Sequence, residues 1–252
     1  MHIPSLQDAP QETLRRIRLI ASDIDGTMTK HAKLPPAILA AFERLAEAGV
    51  EVLPITGRPA GEALGLARYL PTVKHAIAEN GATYIVPDAP VEFFQKAPDR
   101  ALLMRTADSL SALLQKPLEL APDSFCRLGD IAYLRDGRLE DELAMIQQRT
   151  KELGLCLVWS SVHIHLSEVL LDKGVAALTL AKRLGYQPEE IASIGDAPND
   201  VGLWVKDRFG LMVGTADVLK QLTVLQHLPS FLVSEGATGL LELADAILLA
   251  KQ

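Results

Sequence analysis

Cysteine is scarce in this chain of 252 residues, which contains only Cys126 and Cys156. They do not form a Cys-x-x-Cys pair, so the sequence offers no structural zinc site and no disulfide framework. We interpret both as free thiols, which is typical of a reducing compartment. Aromatic residues make up only 5% of the chain, and no run rich in Lys or Arg stands out. The sequence therefore predicts no nucleic-acid partner.

Long hydrophobic runs are also absent, and no uninterrupted apolar segment is long enough to span a membrane. The first 18 residues contain prolines, acids and several arginines instead of the apolar centre of a signal peptide. We therefore expect a cytoplasmic protein that needs no membrane partner. The apolar share of 48% and the formal net charge of −7 are ordinary for a globular protein. Nothing in the sequence predicts the oligomeric state.

Short apolar runs alternate with segments of helical periodicity along most of the chain. This alternation predicts an α/β fold, a Rossmann-like parallel sheet with helices on both faces. Such folds bind ligands at the carboxyl ends of their strands. The predicted strands are 19–21, 50–55, 75–78, 191–194, 211–213 and 231–233, and the predicted helices are 35–48, 174–184 and 238–249.

The alternation breaks between about Pro87 and Glu168. Here the pattern predicts a helix, a strand, a second helix and two further strands, which is the order of a small antiparallel α+β unit. The sequence therefore predicts a core of residues 1–86 and 168–252 with an inserted α+β domain of residues 87–167. The predicted elements of the insertion are 98–114, 125–134, 139–153, 155–160 and 162–166.

The most informative stretch is the sequence Ser-Asp-Ile-Asp-Gly-Thr at 22–27, directly after the first predicted strand. Side chains two positions apart on a strand point to the same face, so Asp23 and Asp25 should enter one site. Two carboxylates at a strand end can hold Mg²⁺, and one of them can attack phosphorus. Alone, the pattern fits an acidic turn equally well, so its interpretation depends on partners further along the chain.

Two later motifs could bind an anion. Thr56 and Gly57 follow the second predicted strand, where a hydroxyl and a backbone amide can donate to a phosphate oxygen at the start of a helix. Lys173 lies at the beginning of a predicted helix, where its charge opposes the helix dipole. A plain strand-to-helix turn and a solvated lysine are the alternatives.

A further acidic motif, Gly-Asp-Ala-Pro-Asn-Asp, follows the predicted strand 191–194. Asp196 would lie on the loop at the strand end, and Asp200 about one turn into the next helix. These carboxylates could complete an oxygen-rich Mg²⁺ site with Asp23. The alternative is a loop that is simply capped by Asp or Asn.

Taken together, these motifs resemble the four motifs of the haloacid dehalogenase superfamily of phosphohydrolases, over about residues 18–249. The insertion lies where C2-type cap domains lie in that superfamily. Just before it, the sequence Glu-Asn-Gly-Ala at 79–82 resembles a turn that is common in the same branch. The compact size is similar to that of the sucrose-phosphatase-like and archaeal-type phosphoglycolate phosphatase group.

The resemblance implies a Mg²⁺-dependent phosphomonoester hydrolase that works through an aspartyl-phosphate on a small phosphorylated metabolite, either phosphoglycolate or a sugar phosphate. It implies that Asp23 is the nucleophile and Asp25 the general acid and base. The implied phosphate ligands are Thr56, Gly57, Lys173 and Asn199, and the implied Mg²⁺ ligands are Asp23, Asp25 through its backbone carbonyl, Asp196, and Asp200 directly or through water.

The residues that select the substrate are expected in the cap. Arg127, Arg135, His163 and His165 are the candidates. The two histidines alternate with apolar residues, so they should share one face of a strand, and the preferred interpretation is that this face meets solvent. Two alternatives to a hydrolase stay open at this point: a phosphomannomutase-like phosphomutase and a non-catalytic sensor of a phosphorylated metabolite.

Overall fold

The computed structural model describes residues 2–70, 72–114, 116–160 and 162–252. Strands and helices alternate in both terminal parts of the chain, with a mixed unit between them. The strands are β1 Leu19–Ser22, β2 Glu51–Pro54, β3 Ala76–Ala78, β4 Thr83–Ile85, β5 Glu92–Phe93, β6 Ile131–Leu134, β7 Cys156–Trp159, β8 His163–Ser167, β9 Ile191–Gly195, β10 Leu211–Thr215 and β11 Phe231–Val233. The α-helices are α1 Gln11–Arg16, α2 Pro36–Glu47, α3 Ala60–Tyr69, α4 Arg100–Ser111, α5 Glu140–Glu152, α6 Lys173–Arg183 and α7 Gly236–Ala250.

The central sheet has five parallel strands in the order β11-β10-β9-β1-β2. Its apolar strands are covered on both faces, which is typical of a parallel sheet. Helices α2 and α7 pack on one face, where Ile38, Ile247 and Ile20 belong to one apolar cluster. Helix α6 covers the other face, where Leu180 joins Leu19 in a second cluster. The predicted α/β class, with helices on both faces, is confirmed.

Strand β3 differs from its prediction as a strand of the parallel sheet. It pairs antiparallel with β4, and a single bridge between Ile55 and Ile77 is its parallel contact with the β2 segment. The chain reverses direction at the 3-10 turn Glu79–Gly81, in which Glu79 and Asn80 both adopt positive φ. This reversal returns the chain as β4 beside β3. Strand β5 extends this small sheet, although it lies within the range that was predicted for the cap.

The cap is the inserted unit from α4 to β8, and it has the predicted order of helix, strand, helix, strand and strand. Its antiparallel sheet, in the order β6-β8-β7, packs on the two helices around an apolar cluster that includes Leu103, Ile146 and Ile164. The strand predicted over 125–134 is shorter than expected, since Pro122–Cys126 forms a 3-10 helix and β6 begins at Ile131. Among the described residues, no helix has the length and apolar character that a membrane crossing requires.

Candidate active site

The acidic motifs meet at the carboxyl edge of the central sheet because β1 lies between β2 and β9. Asp23 follows β1 directly and Asp196 follows β9 directly, and the amide of Asp23 donates to the carbonyl of Ile194 (3.0 Å). Thr56 lies two residues beyond β2, and its amide donates to the carbonyl of Ile77 (2.9 Å). Adjacent parallel strands thus deliver residues that are far apart in sequence to one edge.

Lys173, the first residue of α6, lies at the centre of an acidic cluster. Its Nζ donates to Asp23 Oδ1 (2.5 Å) and to Asp200 Oδ1 (2.6 Å), and all three side chains are buried. Oxygens of Asp23, Asp196 and Asp200 all lie within 4.8 Å of one another. A cation at a helix start is unfavourable for the helix, so these carboxylates explain the position of Lys173.

The charges in this cluster do not balance, because three buried carboxylates surround one ammonium group. Burial raises the pKa of Asp23 to about 7, although the charge of Lys173 opposes the shift. Burial and the neighbouring charge of Asp23 raise the pKa of Asp196 well above its usual range. For Lys173, burial is outweighed by the charges of Asp200 and Asp23, which hold its pKa above the ordinary value. The cluster therefore favours an additional cation.

Two short-range features fix the geometry of the acidic loops. The Asp200 Oδ2 atom accepts from the amides of Asp196 (2.9 Å) and Ala197 (3.0 Å), so the side chain of Asp200 holds the loop after β9. Gly26 has a positive φ, and a Cβ at this position would lie 2.4 Å from Asp196 Oδ2. The predicted helix around Asp200 is instead the 3-10 helix Pro198–Trp204.

Asp25 lies on the loop after β1 and does not join the acidic cluster through its carboxylate. Both of its oxygens accept from Arg58, with Nε to Oδ2 at 2.6 Å and Nη2 to Oδ1 at 2.8 Å. The amide of Arg58 donates to the Thr56 hydroxyl oxygen (2.9 Å). The third residue of the Thr-Gly-Arg motif therefore positions Asp25, a contact that the sequence did not suggest.

A cavity of about 20 Å³ lies between these loops and the cap. That volume holds about one water molecule. The predicted residues Asp23, Asp25, Gly57 and Asn199 line it, whereas Thr56, Lys173, Asp196 and Asp200 do not. The cavity is lined by Asp23, Asp25, Gly57, Arg58, Ala197 and Asn199 of the core and by Ser160, Val162, His163 and His165 of the cap.

The histidines of β8 correct the preferred interpretation of that strand. His163 and His165 share one face, as predicted, but that face is turned towards the cavity, and the residues are only 7% and 1% exposed. Solvent exposure was the wrong expectation because this face of the cap sheet packs on the core. Of the other candidates, Arg135 does not line the cavity and bonds to Glu140, and Arg127 is buried between cap and core.

Sequence reasoning missed the role of Glu79, which joins the core to the cap. Its buried carboxylate accepts from the core amide of Ala60 (2.9 Å) and from the cap amides of Leu128 (2.9 Å), Gly129 and Asp130 (3.1 Å). Burial, together with the charge of Asp130, raises the pKa of Glu79. Asp130 was also missed, since only the register of β6 with β8 reveals that it lies near His165.

A family model described as haloacid dehalogenase-like hydrolase matches residues 20–97 and 131–220, which is more than half of the chain. The chain belongs to that family. Two curated relatives are phosphoglycolate phosphatases: that of Pyrobaculum aerophilum is 32% identical over 79% of this chain and 83% of its own length. That of Pyrobaculum islandicum is 28% identical over 92% of this chain and 98% of its own length.

Two solved structures have a similar fold. Protein 0175 of Thermoplasma acidophilum superposes with a TM-score of 0.75 at 16% identity, over 92% of this chain and 98% of its own. A haloacid dehalogenase-like hydrolase from B. subtilis gives 0.72 at 17% identity, over 91% of this chain and 99% of its own. The family prediction and the enzyme class, a phosphatase, are confirmed.

Proposed function

We propose that this haloacid dehalogenase-like phosphatase is a Mg²⁺-dependent phosphomonoester hydrolase that forms an aspartyl-phosphate on Asp23. The observation that carries the proposal is the position of Asp23, which lines the cavity while its Oδ1 accepts from the buried Lys173 (2.5 Å). A carboxylate that borders both a cavity and a fixed cation can approach a phosphate group and attack its phosphorus.

The residues of the acidic cluster fit a magnesium ion. Their donors are all carboxylate oxygens within 4.8 Å of one another, and Mg²⁺ prefers oxygen ligands. We assign the metal to Asp23, Asp196 and the backbone carbonyl of Asp25, with Asp200 directly or through water. A bound Mg²⁺ would supply charge neutralisation between the nucleophile and the phosphate, which otherwise repel each other.

In the proposed reaction, a carboxylate oxygen of Asp23 forms a bond to phosphorus while the ester bond breaks. The electron pair stays on the leaving oxygen, which takes a proton from Asp25. A water molecule then attacks the phosphorus, its proton passes to Asp25, and Asp23 is released with inorganic phosphate. We assign the transferred oxygens to Lys173 and the Gly57 amide, with Thr56 and Asn199 as further ligands.

This sequence of steps requires two movements. Asp25 must release Arg58, because both of its oxygens accept from that guanidinium group. The cap must also open, because a cavity of about 20 Å³ cannot admit a phosphomonoester. We propose that residues 87–167 move as the cap relative to the core of residues 1–86 and 168–252.

For the substrate we propose a small phosphorylated metabolite in the cytoplasm. The names of the curated relatives favour phosphoglycolate, and a sugar phosphate is the other candidate. We expect it to act without a nucleic-acid or membrane partner.

Asp23→Asn tests the proposal. The variant should lose Mg²⁺-dependent release of phosphate from p-nitrophenyl phosphate by at least about a thousandfold, because the amide cannot act as the nucleophile. Asp245→Asn on α7 is the matched control, and it should retain the activity because Asp245 lies away from the cavity. Persistent turnover by Asp23→Asn would disprove the assignment of the nucleophile. A parallel screen over phosphorylated metabolites, with and without a sugar bisphosphate, would reveal a mutase instead.

A further inference from the structure

One ring nitrogen of His165 is buried at the cavity without a partner. Within the described parts of the chain, its Nε2 atom makes no hydrogen bond. It faces Gly57: a Cβ at that position would lie 3.3 Å from Nε2 and 3.1 Å from Asn80 Oδ1. Buried polar atoms nearly always have a hydrogen-bond partner. A buried nitrogen without a partner at a cavity therefore indicates that a group of the bound ligand supplies the missing hydrogen bond.

The other ring nitrogen determines what that ligand group must be. His165 Nδ1 lies 2.8 Å from Asp130 Oδ2, and Asp130 is fully buried. Asp130 also accepts from Arg127, whose Nη1 donates to Oδ1 (3.0 Å), so Asp130 is an ionised acceptor and Nδ1 must be the donor of its bond to Oδ2. The proton therefore lies on Nδ1, and Nε2 presents a lone pair. In agreement, burial lowers the pKa of His165.

The cations near this lone pair are already occupied. Arg127 donates through Nε and Nη2 to Asp123 and through Nη1 to the Gly57 carbonyl (2.9 Å) as well as to Asp130. Arg58 is held by Asp25. A carboxylate on the leaving group would carry no proton for Nε2, although it could pair with Arg58 once Asp25 releases that guanidinium group.

We propose that His165 Nε2 accepts a hydrogen bond from a hydroxyl group of the leaving group, so that the enzyme prefers hydroxylated phosphomonoesters over carboxylated ones. The inference rests on the proposed phosphatase function and names the substrate class of the same cavity: polyol or sugar phosphates instead of phosphoglycolate. Asp130 is a positioning residue in this scheme, since it holds the imidazole in the accepting tautomer. Glu79 in turn positions Asp130, because its carboxylate accepts from the amide of Asp130 (3.1 Å).

A matched set of two-carbon esters tests the preference. Ethyl phosphate, 2-hydroxyethyl phosphate and 2-phosphoglycolate differ only in the terminal group. 3-Hydroxypropyl phosphate and 3-phosphooxypropanoate form a longer pair with the same two terminal groups, and p-nitrophenyl phosphate, which has neither group, reports the rate of phosphoryl transfer alone. With Mg²⁺, kcat/KM should be at least about tenfold higher for the hydroxylated member of each set, the usual effect of an unpaired buried acceptor.

Two variants locate the preference. His165→Phe removes the acceptor, so the ratio of kcat/KM between hydroxylated and carboxylated esters should fall close to one. Asp130→Asn keeps the shape, but its amide group donates to Nδ1 and moves the ring proton to Nε2, so the ratio should shift towards the carboxylated ester. A merely structural role of Asp130 would lower all rates without this shift. The exposed His227→Gln is the control, and its ratio should equal that of the wild type.

The outcomes separate the inference from the function on which it rests. The inference would be overturned, and the phosphatase function left intact, if the enzyme hydrolysed p-nitrophenyl phosphate but preferred phosphoglycolate. The same conclusion would follow if neither variant changed the ratio of kcat/KM between hydroxylated and carboxylated esters. If no ester is hydrolysed with Mg²⁺, the proposed function fails and the inference fails with it. Should His165→Phe not fold, the wild-type ratio and Asp130→Asn still decide.

Discussion

The two walls of the cavity differ in how they handle charge. The core wall contains two carboxylates that each accept a hydrogen bond from a cation: Asp23 from Lys173, and Asp25 from Arg58. The cap wall contains His163 and His165, and burial lowers the pKa of both rings, that of His163 to about 4. The core wall thus suits the phosphoryl group, which is the same in every substrate. The neutral cap wall suits the leaving group, which differs.

This difference indicates that the chemistry and the choice of substrate can be altered separately. Changes in the core wall should affect the turnover of every ester, whereas changes in the cap wall should alter the rank order of esters. The contacts of Glu79 join the two walls, so a change there should affect both.

The largest effect is expected for Lys173→Met in the core wall. The variant leaves three buried carboxylates without their cation, so kcat should fall by at least about a thousandfold. At pH 8 in EDTA, the free energy of unfolding should fall by about 3 kcal/mol, and Mg²⁺ should restore part of it. Urea titrations with and without Mg²⁺ measure this. Lys182→Met, an exposed position on the same helix, is the control. Full activity of Lys173→Met would contradict the assignment.

The next effect concerns the buried Asp196 and the partly exposed Asp25. Asp196→Ala removes a carboxylate of the cluster and should weaken Mg²⁺ binding by at least about tenfold. Asp25→Ala should weaken it less, because the proposed metal contact of Asp25 is its backbone carbonyl, although turnover should be equally damaged. Isothermal titration calorimetry with Mg²⁺ compares them. Equal losses of affinity would mean that the Asp25 carboxylate itself binds the metal.

A smaller effect is expected for Glu79→Gln at the junction of the walls. The amide nitrogen would face backbone donors, so the free energy of unfolding should fall by about 2 kcal/mol. The cap should also be held less firmly, which hydrogen exchange at Leu128 and Gly129 would reveal as faster exchange. Glu47→Gln on the exposed side of α2 is the matched control. Unchanged exchange in the loop would show that Glu79 does not hold the cap.

The smallest effect is the pH dependence that His163 contributes in the cap wall. Burial lowers its pKa to about 4, whereas its pKa in the unfolded chain is ordinary. Between these two values the unfolded chain binds more protons, so stability rises with pH from about 4 to about 6.5 and is lost as pH falls. His163→Gln should reduce the rise in unfolding free energy between pH 4.5 and pH 6.5 by about 1 kcal/mol. Urea unfolding at the two pH values measures it, and an unchanged slope would exclude His163 as its source.

The sequence predicted most of the core wall because its motifs are local. Asp23 and Asp196 each follow an apolar strand, and parallel strands carry such residues to one edge of the sheet. The exception is the β3 segment, whose apolar sequence predicts another buried strand of the parallel sheet. The left-handed turn at Glu79 and Asn80 redirects it, and an apolar run of this length does not indicate its pairing partner.

The cap wall was much less accessible from sequence. The alternation around His163 and His165 predicts a shared face, but not whether that face meets water or another domain. The partner that sets the tautomer of His165 is Asp130, 35 positions away on a different element. Such a pair depends on strand register and on domain packing, and neither leaves a mark in the local pattern. The roles assigned to the residues of both walls remain predictions until the variants are measured.

Strands β1 and β9 are adjacent in the sheet but far apart in the chain, which has a consequence for folding during synthesis on the ribosome. Thr27 and Asp196, which are in direct contact, are 169 positions apart in the chain. At translation rates of roughly 5–20 residues per second, the loop that contains Asp23 is synthesised on the order of ten seconds or more before its acidic partners. The cap is continuous in sequence and is completed before β9 emerges, so it can fold first. The complete sequence of the cap therefore leaves the ribosome before the site that it covers can assemble.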